Sequence, residues 1–162
     1  MAGLLERPAV QRVQAALREK GSRAEIVELA TTARSAEDAA RSLGVETGAI
    51  VKSLVFLIDG DPVMALVAGD RRCDTAALPA AFGRSGLVLR ADADKVREVS
   101  GFAIGGVAPV AHPRPLPTVI DDSLQRFEQV FAAAGHPHCV FATTAFELSL
   151  LTGGAIAKGI AS

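Results

Sequence analysis

The stretch Ala49–Ile58, AIVKSLVFLI, constrains this chain more than any other. It is rich in β-branched residues and almost continuously apolar, which predicts a strand buried on both faces. Asp59-Gly60-Asp61-Pro62 follows, with Asp-Gly at its centre, a pair suited to a tight hairpin turn. Val63–Ala68 (VMALVA) is then the returning strand.

The other elements follow from period and punctuation. Val10, Val13, Ala16 and Leu17 recur at helical spacing, so Pro8–Lys20 is predicted as a helix, with Pro8 in its first turn and Gly21 as its stop. Ala24–Leu29 is predicted as a strand. Thr31-Thr32-Ala33-Arg34 is a polar joint, after which Ser35 and Asp38 have capping-box spacing and Gly44 ends the helix. Asp74 caps a short helix through Ala81, Leu87–Leu89 is a short strand, and Asp92 caps a helix through Val99. Gly101–Pro117 holds three Gly and four Pro in 17 residues, a long loop of the kind that carries function. Thr118–Asp121 and Cys139–Thr143 are strands, and Thr144 caps a helix from Ala145 to Leu151. Ser123–Ala134 fits either a helix or a strand. Strands interleaved with short helices indicate a single α/β (α+β) domain with a mixed sheet.

Composition excludes several classes. In 162 residues, 49% are hydrophobic and 22% charged, which excludes a disordered chain. With 17 Lys+Arg against 18 Asp+Glu, the basic excess of a generic nucleic-acid binder is missing. All aromatics are the seven Phe, too few for an extended base-stacking platform, and DNA is not expected as a partner. No membrane span or leader is expected, and two isolated cysteines, Cys73 and Cys139, fit structural thiols in a reduced, cytoplasmic setting.

Few residues are candidates for chemistry. Lys52 lies inside the apolar strand, on one face with Leu54, Phe56 and Ile58. A buried ammonium needs a partner, a route to solvent or a ligand. It either snorkels from an open strand end or is held in a pocket floor, ready for an anion or a carbonyl oxygen. Gly105-Gly106-Val107-Ala108-Pro109 either presents bare backbone N–H groups to an oxyanion or phosphate, or lets two strands cross closely. His138 and His112 are expected as solvated loop imidazoles, and Asp121-Asp122 as a cap rather than a metal or acid pair. No serine-hydrolase elbow is present.

Taken in order, Val51–Phe56, Ala68-Gly69-Asp70, Gly101 with Gly105–Pro109, Leu116–Asp121, Ala134-Gly135 and Phe146-Glu147-Leu148 resemble the YbaK/prolyl-tRNA-synthetase-associated domain family of aminoacyl-tRNA deacylases. The resemblance implies a mixed, curved sheet flanked by short helices, with residues 1–162 as one domain. It implies hydrolysis of the ester joining a wrong, small amino acid to tRNA, in trans, with tRNA(Pro) and prolyl-tRNA synthetase as the associated partners. The alternative is a non-catalytic tRNA- or synthetase-binding module of the same fold. By resemblance, Lys52 is the essential lysine, and Gly105 and Gly106 lie in the loop beside the scissile ester, with Val107 and Pro109. Leu29, Thr31 and Ala33 line the amino-acid pocket, His138 falls at a pocket histidine, and Ser53 replaces a common Asn or Thr. Neither a cofactor nor a metal is implied. Arg71, Arg72 and Arg114 are candidates to touch the acceptor end.

Overall fold

The computed structural model describes residues 3–31 and 33–162, so Thr32 of the polar joint lies outside the described residues. The apolar hairpin is the centre of the fold. β2 (Ile50–Ile58) pairs antiparallel with β3 (Asp61–Ala68) from Val51 to Ile58. The turn between them puts Asp59 and Gly60 at φ 48° and 86°, as Asp-Gly predicts. Around it runs one mixed sheet in the order β1 (Ile26–Glu28), β7 (Cys139–Thr143), β6 (Val130–His136), β2, β3, β5 (Thr118–Asp121), β8 (Ala155–Ala157). Three of its pairings are parallel: β2 with β6, β3 with β5, and β5 with β8. β8 is an element the sequence patterns did not indicate. Its first residue follows Gly153 and Gly154, and it adds three residues to the β5 edge.

In the ambiguous stretch the strand reading holds from Val130 onward, and no α-helix forms. Asp121 caps a short 3-10 turn over Asp122–Arg126 through a bond from Ser123 N–H, and β6 then starts at Val130. Asp121 is buried and also accepts from the Ala68 N–H at 3.0 Å and the Ser123 hydroxyl at 2.7 Å, so it is a structural cap.

Helices cover the faces unequally. α1 (Pro8–Glu19) lays Val10, Val13 and Leu17 on one face, against Val130, Ala132 and Ala134 of β6. α4 (Ala93–Ser100) and α5 (Ala145–Thr152) add Val96, Leu148 and Leu151 to the same core, which Phe102, Val107 and Ala108 of the long loop complete. Burying a side chain such as Leu17 or Phe141 contributes about 1.5–3 kcal/mol. The opposite face carries two separate clusters. At one end, α2 (Ala36–Leu43) packs Ala39 and Ala40 on Leu29, Ile50 and Val140. At the other, Leu78 of the short α3 (Leu78–Ala81) and Ile160 cover Phe56, Ile58, Val63 and Val67. Between these clusters on β2 stand Lys52 and Leu54.

Candidate active site

β2 has β3 along one edge and shares the other between two partners. β6 pairs with Ile50 and Val51, and β4 (Val88–Arg90) pairs with Phe56–Ile58. Lys52, Ser53 and Leu54 have no strand partner on that edge. A cavity of about 350 Å³ occupies the break. Its walls come from both sheet faces: Lys52, Leu54, Phe131 and Ala133 from one, and Val51, Ser53 and Val55 from the other.

The break shows how a lysine survives inside an apolar strand. Lys52 lines the cavity, and its ammonium donates to the Arg71 carbonyl, in the turn that follows β3. That one acceptor leaves two of its N–H groups for a ligand. Burial, then the Arg90 guanidinium, hold Lys52 below the ordinary lysine value of 10.5, while Asp70 and Cys73 pull it up. Of the alternatives that strand pattern leaves open, the pocket-floor placement is the one observed.

The glycine loop forms another wall. Ile104, Gly105 and Val107 line the cavity. Gly105 has φ 90°, a conformation that costs a side-chain-bearing residue. Gly106 differs from what its neighbour suggests. Its N–H donates to the Ala103 carbonyl and its carbonyl accepts from Gly135 N–H, both at 3.0 Å. A Cβ on Gly106 would lie 3.0 Å from the His136 backbone. Gly106 therefore anchors the loop to the β6–β7 hairpin, and its N–H is not available to an oxyanion. Gly106 serves close approach, while the N–H groups of Gly105 and Val107 have no backbone or side-chain acceptor among the described residues.

The remaining predicted residues separate. Ala33 lines the cavity, with Arg34, Ser35 and Ala36. Leu29 is buried in the cluster behind it. Thr31 is exposed and outside the lining, and Pro109 is buried without reaching it. His138 is also outside the lining. Its carbonyl accepts from Leu29 N–H at 2.7 Å, its ring meets that of His136 edge-on at 5.1 Å, and the hairpin presents Pro137 to the cavity instead. Ser53 is in the lining, and its hydroxyl is buried with no hydrogen-bond partner among the described residues. His112 is not a solvated imidazole. It is half-buried, bonded to the Ala108 carbonyl at 2.7 Å, and burial lowers its pKa. Its ring sits edge-on to Phe102, over which Arg12 stacks at 4.7 Å. Burial pushes the Cys73 thiol up to about 11 and that of Cys139 upward as well, consistent with unreactive thiols.

Two cations were missed by the sequence patterns. Arg34 and Arg90 line the cavity with Lys52, and the described lining contains no Asp or Glu. Among the described residues neither guanidinium has a carboxylate in reach. The available signal was weak: Arg34 immediately precedes the helix cap Ser35, and Arg90 ends β4 two residues before the cap Asp92. Arg71, Arg72 and Arg114 are not in the lining, although the Arg71 carbonyl touches Lys52.

The cavity thus brings three cations together with the glycine loop. Comparison with known proteins gives this arrangement its family. The model of the aminoacyl-tRNA editing domain matches residues 30–149. The chain belongs to this family of editing domains, the class that removes wrong amino acids from tRNA. It is similar to a solved structure described as a candidate trans-editing enzyme for prolyl tRNA synthetase, at 41% identity and TM-score 0.88, over 94% of this chain and 96% of that one. It is 35% identical over 126 residues to the uncharacterised protein YwhH of Bacillus subtilis, covering 77% of this chain and 79% of that protein. It is also 37% identical over 86 residues to proline–tRNA ligase of Maridesulfovibrio salexigens, 52% of this chain but 15% of the ligase.

Proposed function

We propose that this protein is a trans-editing deacylase that hydrolyses the ester of tRNA(Pro) mischarged with a small amino acid. The observation that carries this reading is the joint placement of Lys52, Gly105 and Val107 on one 350 Å³ cavity. An aminoacyl ester is already activated, so the protein has two tasks: orient a water and stabilise the charge that develops on the carbonyl oxygen. The unengaged N–H groups of Gly105 and Val107 serve the second. The Lys52 ammonium holds the carbonyl oxygen or a neighbouring phosphate, and Arg34 and Arg90 flank it with further positive charge. Ala33, Ala36, Ile50, Leu54, Phe131 and Ala133 form an apolar wall for a short side chain. Such a wall excludes larger residues sterically and separates homologous ones weakly, by about 1–3 kcal/mol per methylene. The relatives named for prolyl-tRNA charging support tRNA(Pro) and an association with prolyl-tRNA synthetase.

The test is a panel of mischarged tRNAs offered to the purified protein. The expected result is multiple turnover on tRNA(Pro) bearing a small amino acid, with Lys52→Ala slower by roughly a hundredfold or more. Binding without turnover would instead identify a non-catalytic module. Undiminished turnover by Lys52→Ala would remove the lysine from the mechanism.

A further inference from the structure

The strongest unexplained feature near the site is an ion pair that does not line the cavity. Asp70 and Arg126 form a two-pronged pair, at 2.8 and 3.0 Å, between the turn after β3 and the 3-10 turn after β5. Arg126 is fixed on its other sides, donating through Nε to the Ser123 carbonyl at 2.7 Å and stacking on Phe127 at 4.9 Å. Room for the pair is made by Gly48, where a Cβ would lie 2.9 Å from the Arg126 guanidinium and from both Asp70 oxygens. A two-pronged pair with this much support is a built feature rather than a chance surface contact.

Its location gives it a task. Asp70 precedes Arg71, whose carbonyl receives the Lys52 ammonium. The same turn is pinned by Asp121 to the Ala68 N–H, by Gly69 N–H to the Ile50 carbonyl at 2.7 Å, and by Arg72 to Ser162. Among the described residues Lys52 has no carboxylate within salt-bridge distance. Asp70 is the carboxylate whose charge acts most on it, and both oxygens of Asp70 are occupied by Arg126.

We infer that Arg126 is a positioning residue that sequesters Asp70, so that the Lys52 ammonium keeps a neutral carbonyl as its protein partner and meets the substrate with its charge uncompensated. An ammonium already paired with a carboxylate would have to break that pair to bind an anion. The inference rests on the reading of Lys52 as a substrate-facing cation. The charged and titratable groups that act on Lys52 are Asp70, Arg72 and Cys73 from the turn and its continuation, and Arg90 from β4, with Arg34 on the same cavity wall.

The experiment follows two readouts in wild type, Arg126→Met, Asp70→Asn and the double variant. One is the Lys52 titration, read by side-chain NMR without substrate; the other is kcat/KM for deacylation. In Arg126→Met the released Asp70 raises the Lys52 pKa by about one unit, the scale of one nearby charge. Deacylation falls about tenfold, and the double variant recovers to within about threefold of wild type. In Asp70→Asn the loss of the Asp70 charge, which pulls Lys52 up, moves the Lys52 titration the other way. A double variant as slow as Arg126→Met, or a Lys52 titration unchanged by Asp70→Asn, would reduce the pair to a structural clip and overturn the inference. Should Arg126→Met fail to fold, Arg126→Gln, followed by the same titration and kcat/KM and in the same double variant, takes its place. If wild type deacylates nothing while the titrations shift as described, the electrostatic arrangement stands and the deacylase reading fails.

Discussion

At the scale of single residues, the site depends on groups left incomplete. Lys52 is held below its ordinary pKa, chiefly by burial, so its cationic fraction declines before that of a free lysine as pH rises. Background-corrected deacylation is therefore expected to lose rate on the alkaline side below pH 10.5, and the Lys52 titration should track that loss. Ser53 makes a separate prediction. Its buried hydroxyl has no partner among the described residues, so Ser53→Ala costs the fold nothing or stabilises it slightly. A thermal melt at or above wild type, together with a several-fold drop in kcat/KM, would show that the substrate supplies the missing bond. His112 predicts acid sensitivity. Its folded pKa lies below the unfolded value of 6.5, so the unfolded state takes up the proton first and stability falls as pH drops through that value. His136 is lowered too and contributes with the same sign. Chemical denaturation of His112→Gln should show a shallower loss of stability between neutral pH and pH 5. Lys52 was visible in the sequence because an ammonium in an apolar strand violates the pattern. Arg34 and Arg90 were not, because an arginine beside a helix start violates nothing.

At the scale of elements, caps and turns were legible and long-range pairings were not. Ser35, Asp92 and Thr144 each accept from the N–H three residues on, as their spacing predicts. The predicted strand over Ala24–Leu29 shortens to Ile26–Glu28, since only that segment meets β7. The parallel partners of β2, β3 and β5 come from distant segments, and no local period encodes them. β8 was missed because three residues between glycines carry almost no pattern. Two substitutions test how elements frame the cavity. Ser35→Ala removes the cap of α2 beside the cleft and should cost about 1 kcal/mol of stability, measured by denaturant titration. Gly69→Ala is more severe. Its Cβ would sit 2.4 Å from the Thr47 carbonyl at the point where the β3 turn crosses the start of β2. A loss of about 2–4 kcal/mol is expected, with deacylation falling alongside because this turn carries the Arg71 carbonyl.

At the scale of the whole molecule, a net charge of −1 conceals an uneven distribution. Three cations meet at one cavity whose described lining has no acid. Contact with tRNA is then expected to be local and weak, with few counterions released. The KM for aminoacyl-tRNA should rise with salt along a shallow slope, and Arg90→Gln should flatten it by roughly 0.7–0.9 if that residue meets one phosphate. The composition argument against a nucleic-acid binder holds for a broad grip on a polymer and does not extend to an enzyme that handles one end of it.

The break in the β2 edge has a consequence for how such a site changes over time. The groups offered there for hydrogen bonding belong largely to the main chain: a strand segment without a neighbour, and the N–H groups of Gly105 and Val107. Point mutation reshapes the surrounding wall of Ala, Ile, Leu and Phe readily, whereas a main-chain N–H is lost only by mutation to proline. The fit to a side chain is thus free to drift from one small amino acid to another, while the main-chain donors persist and Lys52 is the one side chain of the polarising machinery that has to be kept.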